Sequence, residues 1–247
     1  MVKTGRRKSR LLWIPVVILL LLIAGSAVYV GDYYHADPEA AALLTADLPG
    51  ISVSAEKGRV VFRPEEPSAG LIFYPGGKVD YTAYAPLMTE LAGRGFLCVL
   101  IDMPLRLAFF GINAADSVYG DFPEIGHWIL AGHSLGGVAG GAYAAKHSGQ
   151  LDGLVLLASY TTSNLKETGI KVLSIFGSKD EVMNPGSYAK NRARLPEDTE
   201  EVIIQGGCHA YFGSYGAQKG DGTPTISNEE QIRFTADTIA EWAGRVF

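Results

Sequence analysis

The sequence predicts an α/β fold: a mostly parallel sheet of about eight strands, helices on both faces, and one transmembrane helix ahead of it. Three observations carry this expectation. Short, continuously apolar runs alternate with helically periodic segments from Leu71 onward. Fully apolar strands of this kind are buried on both faces, as strands joined by crossover helices must be. The polar residues most suited to chemistry each follow such a run, at the carboxyl end of a strand. Near the N-terminus, Leu11 to Val30 contains no charged residue.

That last run sets the organisation of the chain. A helix of about 20 residues spans roughly 30 Å, the thickness of the bilayer hydrocarbon. Trp13 at one end and Tyr29, Tyr33 and Tyr34 at the other suit the two interfaces. Five basic residues (Lys3, Arg6, Arg7, Lys8, Arg10) precede the run and acids (Asp32, Asp37, Glu39) follow it. The positive-inside rule then keeps residues 1–10 in the cytoplasm as a basic tail and makes residues 11–30 a single-pass anchor, with the body outside the cell membrane. A cleaved signal peptide is the alternative, with Gly25 and Ala27 as the small residues of a cleavage site and a secreted body as the outcome. Residues 31–50 read as a juxtamembrane linker with a short helical piece near Glu39–Leu44, and residues 51–247 as one catalytic-sized domain.

Net charge is −5 for the whole chain and −10 beyond the basic tail, which excludes the basic face that nucleic acid requires. The two cysteines, Cys98 and Cys208, read as free thiols, with a disulfide as the alternative for an exported protein. No CxxC or clustered-histidine spacing suggests a metal, and the glycines of 212–225 fit no phosphate-binding motif, so no cofactor is expected.

Within the domain, Ile51–Ala55 and Arg59–Arg63 form a hairpin around Glu56-Lys57-Gly58. Strands follow at Leu71–Tyr74, Phe96–Ile101, Trp128–Ala131, Leu154–Leu157, Val172–Phe176 and Val202–Ile204. Tyr84, Leu87, Met88 and Leu91 mark one helix and Thr235–Trp242 the last.

Gly132-His133-Ser134-Leu135-Gly136 fits G-x-S-x-G between an apolar strand and a helix of small residues. A serine on so sharp a turn needs neighbours without side chains, which Gly132 and Gly136 supply. Ser134 is therefore the expected nucleophile. A hydroxyl needs a base to remove its proton. Of five histidines, His209 alone follows the last strand; His35 lies beside the membrane, His133 belongs to the elbow, His147 ends its helix and His127 precedes a strand. Asp180, after the Val172–Phe176 strand, is the expected acid, with Glu181 its neighbouring competitor. Asp152 and Asp102 stand at the wrong edge or in the wrong chain order. The oxyanion donors expected are the backbone N–H of Leu135 and that of Gly77, although Gly76-Gly77 also suits a simple tight turn.

These motifs resemble the α/β-hydrolase superfamily, and within it the small bacterial "alpha/beta hydrolase fold-5" group, from about Gly70 to Phe247. The likeness rests on Tyr74-Pro75-Gly76-Gly77, Gly132-His133-Ser134-Leu135-Gly136-Gly137, Gly177-Ser178-Lys179-Asp180 and Gly206-Gly207-Cys208-His209-Ala210-Tyr211-Phe212-Gly213. The stretch from Tyr215 through Gly220-Asp221-Gly222 to Ile226-Ser227 is similar too. Cys208 departs from the group, which usually has asparagine or another polar residue there. The resemblance implies an eight-stranded sheet, a Ser-Asp-His triad and hydrolase chemistry.

Only residues 158–171 separate two strands where many relatives insert a lid domain, so an open, small-acyl site is expected. Phe109, Phe110 and Tyr160 are candidates to line it, with core packing as the alternative, and the Phe212–Thr225 loop is expected beside His209. The function expected is a carboxylesterase-like serine hydrolase of small-molecule acyl substrates. A thioesterase, an amidase or peptidase, and a catalytically silent envelope binding domain are the alternatives.

Overall fold

The computed structural model describes residues 6–56 and 58–247. Residues 1–5 of the expected basic tail and Lys57 of the hairpin turn lie outside the described residues. The chain divides after Tyr33 into two units.

The first unit is essentially one helix, α1 (Arg6–Gly31). Its Trp13–Gly31 portion is long and apolar enough to cross a membrane, with a mean hydropathy of 2.5, and Pro15 sits within the helix.

The second unit is an eight-stranded sheet with helices on both faces. In chain order its elements are α2 (Pro38–Ala42), β1 (Ile51–Glu56), β2 (Arg59–Pro64), β3 (Ala69–Tyr74), α3 (Ala85–Ala92), β4 (Phe96–Ile101), β5 (Trp128–His133), α4 (Leu135–His147), β6 (Gly153–Leu157), β7 (Lys171–Gly177), α5 (Pro185–Arg192), β8 (Glu200–Ile204) and α6 (Asn228–Val246). The spatial order is β1-β2-β4-β3-β5-β6-β7-β8. The hairpin β1–β2 is antiparallel and joins β4 antiparallel, while every pairing from β4 to β8 is parallel. Strand order reverses at β3: the chain crosses outward to β4 and returns to β5 on the other side. Crevices at such reversals lie outside the carboxyl ends of the strands.

Alternation along the strands sorts the core into two layers. Leu71 and Phe73 of β3, Ile129 of β5 and Val155 of β6 meet α3 and α6 on one face. Ile72, Leu130, Leu154 and Leu156 point to the other face, where Ala139, Tyr143 and Ala144 of α4 cover them. All six residues of β3, β4 and β5 are buried, as a sheet covered on both sides requires.

Two helices exceed what the apolar pattern shows. The final helix begins at Asn228, seven residues ahead of the expected Thr235, because a capping box starts it: Ser227 and Glu230 satisfy each other's backbone N–H groups. Helix α5 is polar and carries no apolar period, but Asn184 caps it and Pro185 occupies its first turn. Residues 34–50 also do more than link. Tyr34 donates its N–H to the Lys78 carbonyl and accepts the Asp80 N–H, both at 2.8 Å, and Ala40 of α2 is buried.

Candidate active site

The loops after β3, β5, β7 and β8 converge at one edge of the sheet. Ser134 ends β5 and opens α4 with φ 50° and ψ −117°, a left-handed geometry that a side-chain-bearing residue adopts only under constraint. The constraint comes from the backbone on either side. The Ser134 N–H donates to the Leu157 carbonyl at 2.9 Å, and the Ser134 carbonyl accepts the Ser159 hydroxyl at 2.6 Å and the Gly137 N–H at 3.1 Å. A Cβ on Gly136 would strike the Tyr74 and Pro75 carbonyl oxygens, and one on Gly132 would strike the Gly136 carbonyl. The G-x-S-x-G spacing is thus the footprint of a helix packed directly onto the strand it leaves.

His209 follows β8, and its Nδ1 lies 2.9 Å from Asp180 Oδ2, with both side chains essentially removed from solvent (2% and 1% exposed). A carboxylate only accepts, so Nδ1 carries the proton and Nε2 is left as the acceptor nitrogen. That Nε2 is buried and has no hydrogen-bond partner among the described residues. His209 lines a cavity of about 210 Å³ together with Ser134, Leu135, Val138, Ser159 and Tyr160. Asp180 is itself fixed, since its Oδ1 accepts the N–H groups of Val182 (3.0 Å) and Met183 (2.9 Å). Glu181, the alternative acid, is exposed, and it is Asp180 that the structure brings to His209.

The glycine loop after β3 has one N–H to spare. Gly76 donates to the Tyr84 hydroxyl at 3.0 Å and Lys78 to the Arg106 carbonyl at 2.9 Å, whereas Gly77 N–H donates to no described group. A Cβ on Gly77 would sit 2.7 Å from Leu135 Cδ2, so the Gly77 backbone packs directly against the Leu135 side chain.

Residues outside the sequence expectation complete the site. Asp221 accepts the N–H of His209 (3.1 Å) and of Ala210 (2.8 Å), from the glycine-rich loop expected beside His209. Gln231 of α6 accepts the Cys208 N–H at 2.9 Å and donates to the Cys208 carbonyl at 2.8 Å. The acid in Gly220-Asp221-Gly222 was the available signal for the first; for Gln231, a buried polar residue on an otherwise apolar helix face was the signal. Replacing Asp221 by alanine strands two backbone donors around His209. The expected cost is about 2–4 kcal/mol of stability, read by chemical denaturation, together with a fall in kcat.

His133, read only as part of the elbow, ties the two loops together. Its Nε2 lies 3.1 Å from the His209 carbonyl, an obligate acceptor, so Nε2 must donate. Its Nδ1, 2.7 Å from the Tyr84 hydroxyl, therefore accepts, and Tyr84 in turn accepts the Gly76 N–H. One unbroken chain runs from the glycine loop to the histidine loop. Only neutral His133 fits it. Burial first, and the nearby His209 imidazole second, hold its pKa well below 6.5. Below about pH 6.5 the unfolded chain takes a proton here that the folded chain refuses, so stability present above that pH is lost as pH falls. The expected result is a Tm that drops between about pH 7 and pH 5 more steeply in the wild type than in His133→Gln, measured by calorimetry.

Both cysteines are buried and unpaired, as expected; burial pushes the Cys208 thiol up to about 12. Tyr160 lines the cavity, but Phe109 and Phe110 do not: they stand outward on the loop after β4, each more than half exposed. Their expected place at the site is corrected: they line a separate surface cleft with Asn113 and with Lys146 of α4, beyond the left-handed turn at Leu105–Arg106. A larger cleft of about 450 Å³ among Lys166, Glu167, Lys171 and Asp198 lies at the amino end of β7 and gathers no nucleophile with a base.

Comparison with known proteins agrees with this architecture. TT1662 from Thermus thermophilus is similar over 78% of this chain and 98% of its own, with 16% identity and a TM-score of 0.58. The esterase domain of a Rhodothermus marinus protein is similar over 80% and 99%, with 15% identity and a TM-score of 0.60. A monoacylglycerol lipase from Paleococcus ferrophilus is similar over 77% and 99%, with 14% identity and a TM-score of 0.58. At these identities the likeness is one of fold. No curated protein matches the sequence. Residues 70–233 match the alpha/beta hydrolase family, a stretch that runs from β3 through the elbow into the last helix, and the chain belongs to that family.

Proposed function

We propose that this chain is a serine hydrolase that cleaves carboxylic esters of small acyl groups, with Ser134 as nucleophile, His209 as base and Asp180 as acid. The observation that carries the reading is the buried, unpartnered Nε2 of His209, on a ring whose other nitrogen is committed to Asp180, in the same cavity as Ser134. A buried nitrogen without a partner is costly to the fold, and such groups call for a functional account.

In the reaction, His209 Nε2 removes the Ser134 Oγ proton as Oγ attacks the ester carbonyl carbon. The oxygen that gains charge sits between the N–H groups of Gly77 and Leu135. The ester C–O bond then breaks, and the His209 proton passes to the departing alkoxide. Water repeats the sequence: His209 takes its proton, the hydroxyl attacks the acyl carbon, and the acid leaves as Ser134 regains its proton. Asp180 keeps the imidazole in the right tautomer and stabilises its charged form. Asp221, Gln231 and His133 position the loops that carry these groups.

The cavity, about 210 Å³, is smaller than the roughly 300–1,000 Å³ that encloses drug-sized ligands, which favours short acyl groups. A panel of ester, thioester and amide substrates of one acyl chain, run on the full chain beside Ser134→Ala, tests the reading. Ester hydrolysis that persists in Ser134→Ala, or a wild type active on none of the three, would overturn it.

The apolar helix is read here as a retained anchor that holds the body on the extracytoplasmic side. Retention in the membrane fraction, with an intact N-terminus by mass spectrometry, is the expected outcome; a mature chain starting near Val28 would show cleavage and a secreted enzyme.

A further inference from the structure

The loop after β4 departs from the rule that large apolar side chains turn inward. Leu105, Phe109 and Phe110 are 54%, 52% and 63% exposed, three large apolar groups within six residues. The loop is not loosely held. Met103 and Ala108 are buried beneath it, and the Arg106 carbonyl accepts the Lys78 N–H at 2.9 Å. Leu105 and Arg106 adopt φ of 55° and 57°, the left-handed region that a bulky side chain normally avoids. A turn strained at Leu105 to present a leucine outward, on a base this well packed, is a built surface rather than a frayed one.

Its place along the chain indicates what covers it. The apolar helix ends at Gly31, and Tyr34 is already fixed to the body through Lys78 and Asp80. Only Asp32 and Tyr33 intervene along the chain between the apolar span and Tyr34. Lys78 holds Tyr34 with its carbonyl and Arg106 with its N–H, so the apolar loop is tied to Tyr34, the first residue of the body.

Resting on the reading of that helix as a retained anchor, we infer that Leu105, Phe109 and Phe110 form a membrane-contacting surface that seats the catalytic body on the lipid bilayer. The loop follows β4 at the same sheet edge as Gly77 and Ser134. Seating on it brings the mouth of the cavity close to the lipid, so the substrate class is extended from soluble esters to esters whose acyl chains reside in the bilayer. Exposed aromatic and aliphatic side chains match the chemistry of that region.

The test uses the full chain in vesicles of phosphatidylcholine and phosphatidylglycerol, with an environment-sensitive fluorophore on Phe110→Cys. Gly244→Cys, exposed near the end of α6 on the opposite face of the sheet with open space around its Cβ, is the control. Cys98 and Cys208 are buried and do not compete for native labelling. The expected result is blue-shifted emission at position 110 that spin-labelled lipid quenches, with neither effect at 244. A label at 110 that behaves like the one at 244 overturns the proposal. So does a blue shift that lipid does not quench, which would mark a protein partner or a second copy.

A second arm compares Leu105→Asn/Phe109→Ser/Phe110→Ser with the wild type. The expected loss is confined to an ester dissolved in the bilayer, with unchanged rates on a water-soluble ester of the same acyl chain. Equal rates on both esters overturn the substrate extension. A wild type inactive on both refutes the esterase reading alone, since the fluorescence result does not depend on turnover.

Discussion

Ser134→Ala is expected to lower kcat on activated esters by at least about 10⁴-fold, to abolish labelling by a fluorophosphonate, and to leave the fold untouched. The last clause makes the result interpretable. The Ser134 backbone supplies every structural bond at this position: its N–H to Leu157, its carbonyl to Ser159, Gly137 and Val138. The hydroxyl contributes no hydrogen bond among the described residues, so unfolding free energy should stay within about 0.5 kcal/mol of wild type. Activity lost at constant stability assigns the hydroxyl to chemistry. A variant that keeps hydrolysing the ester panel would remove Ser134 from the mechanism and leave the elbow a purely structural turn.

Asp180→Asn has the second largest expected effect, a fall in kcat of about 10⁴-fold with KM little changed. The amide oxygen can still accept the Val182 and Met183 N–H groups, so the loop keeps its shape. What changes is the proton on His209. An amide nitrogen turned toward Nδ1 can only donate, which forces the imidazole proton onto Nε2 and removes the base from the Ser134 side. Steady-state kinetics with pH-resolved NMR of the imidazole separates this from misfolding: the tautomer should invert while the rest of the spectrum holds. An unchanged kcat would mean that another group, Glu181 being the adjacent one, orients His209.

Much of this site is legible in sequence because its constraints are local. The backbone at Ser134 tolerates no side chain at Gly132 or Gly136, so the turn leaves its mark as a motif. Strand ends are legible because strands buried on both faces are apolar throughout, and the first polar residue after each run marks the edge where chemistry gathers. What escapes is held at long range. Asp221 reaches the His209 N–H across 12 residues, and Tyr84 reaches His133 across 49, pairings that no periodicity encodes. Helix α5 escapes for a different reason: it buries almost nothing, so its cap and proline were the only marks it left. Phe109 and Phe110 show the reverse error. Aromatic residues near a predicted site invite placement inside it, yet these two stand exposed at a separate cleft, beyond the left-handed turn at Leu105 and Arg106.

The amide pair between Gln231 and residue 208 bears on how freely this site can drift. Gln231 grips the main chain of that residue, N–H and carbonyl together, and makes no use of its side chain. The histidine loop is therefore registered by a handle that every amino acid except proline carries. Gln231 thus registers position 208 through its main chain alone, while the buried thiol faces Asp221 and the Tyr211 backbone. The hold on the His209 loop therefore rests on one amide at the start of the terminal helix, so a change at 231 acts on the loop without touching His209, Asp180 or Ser134 themselves.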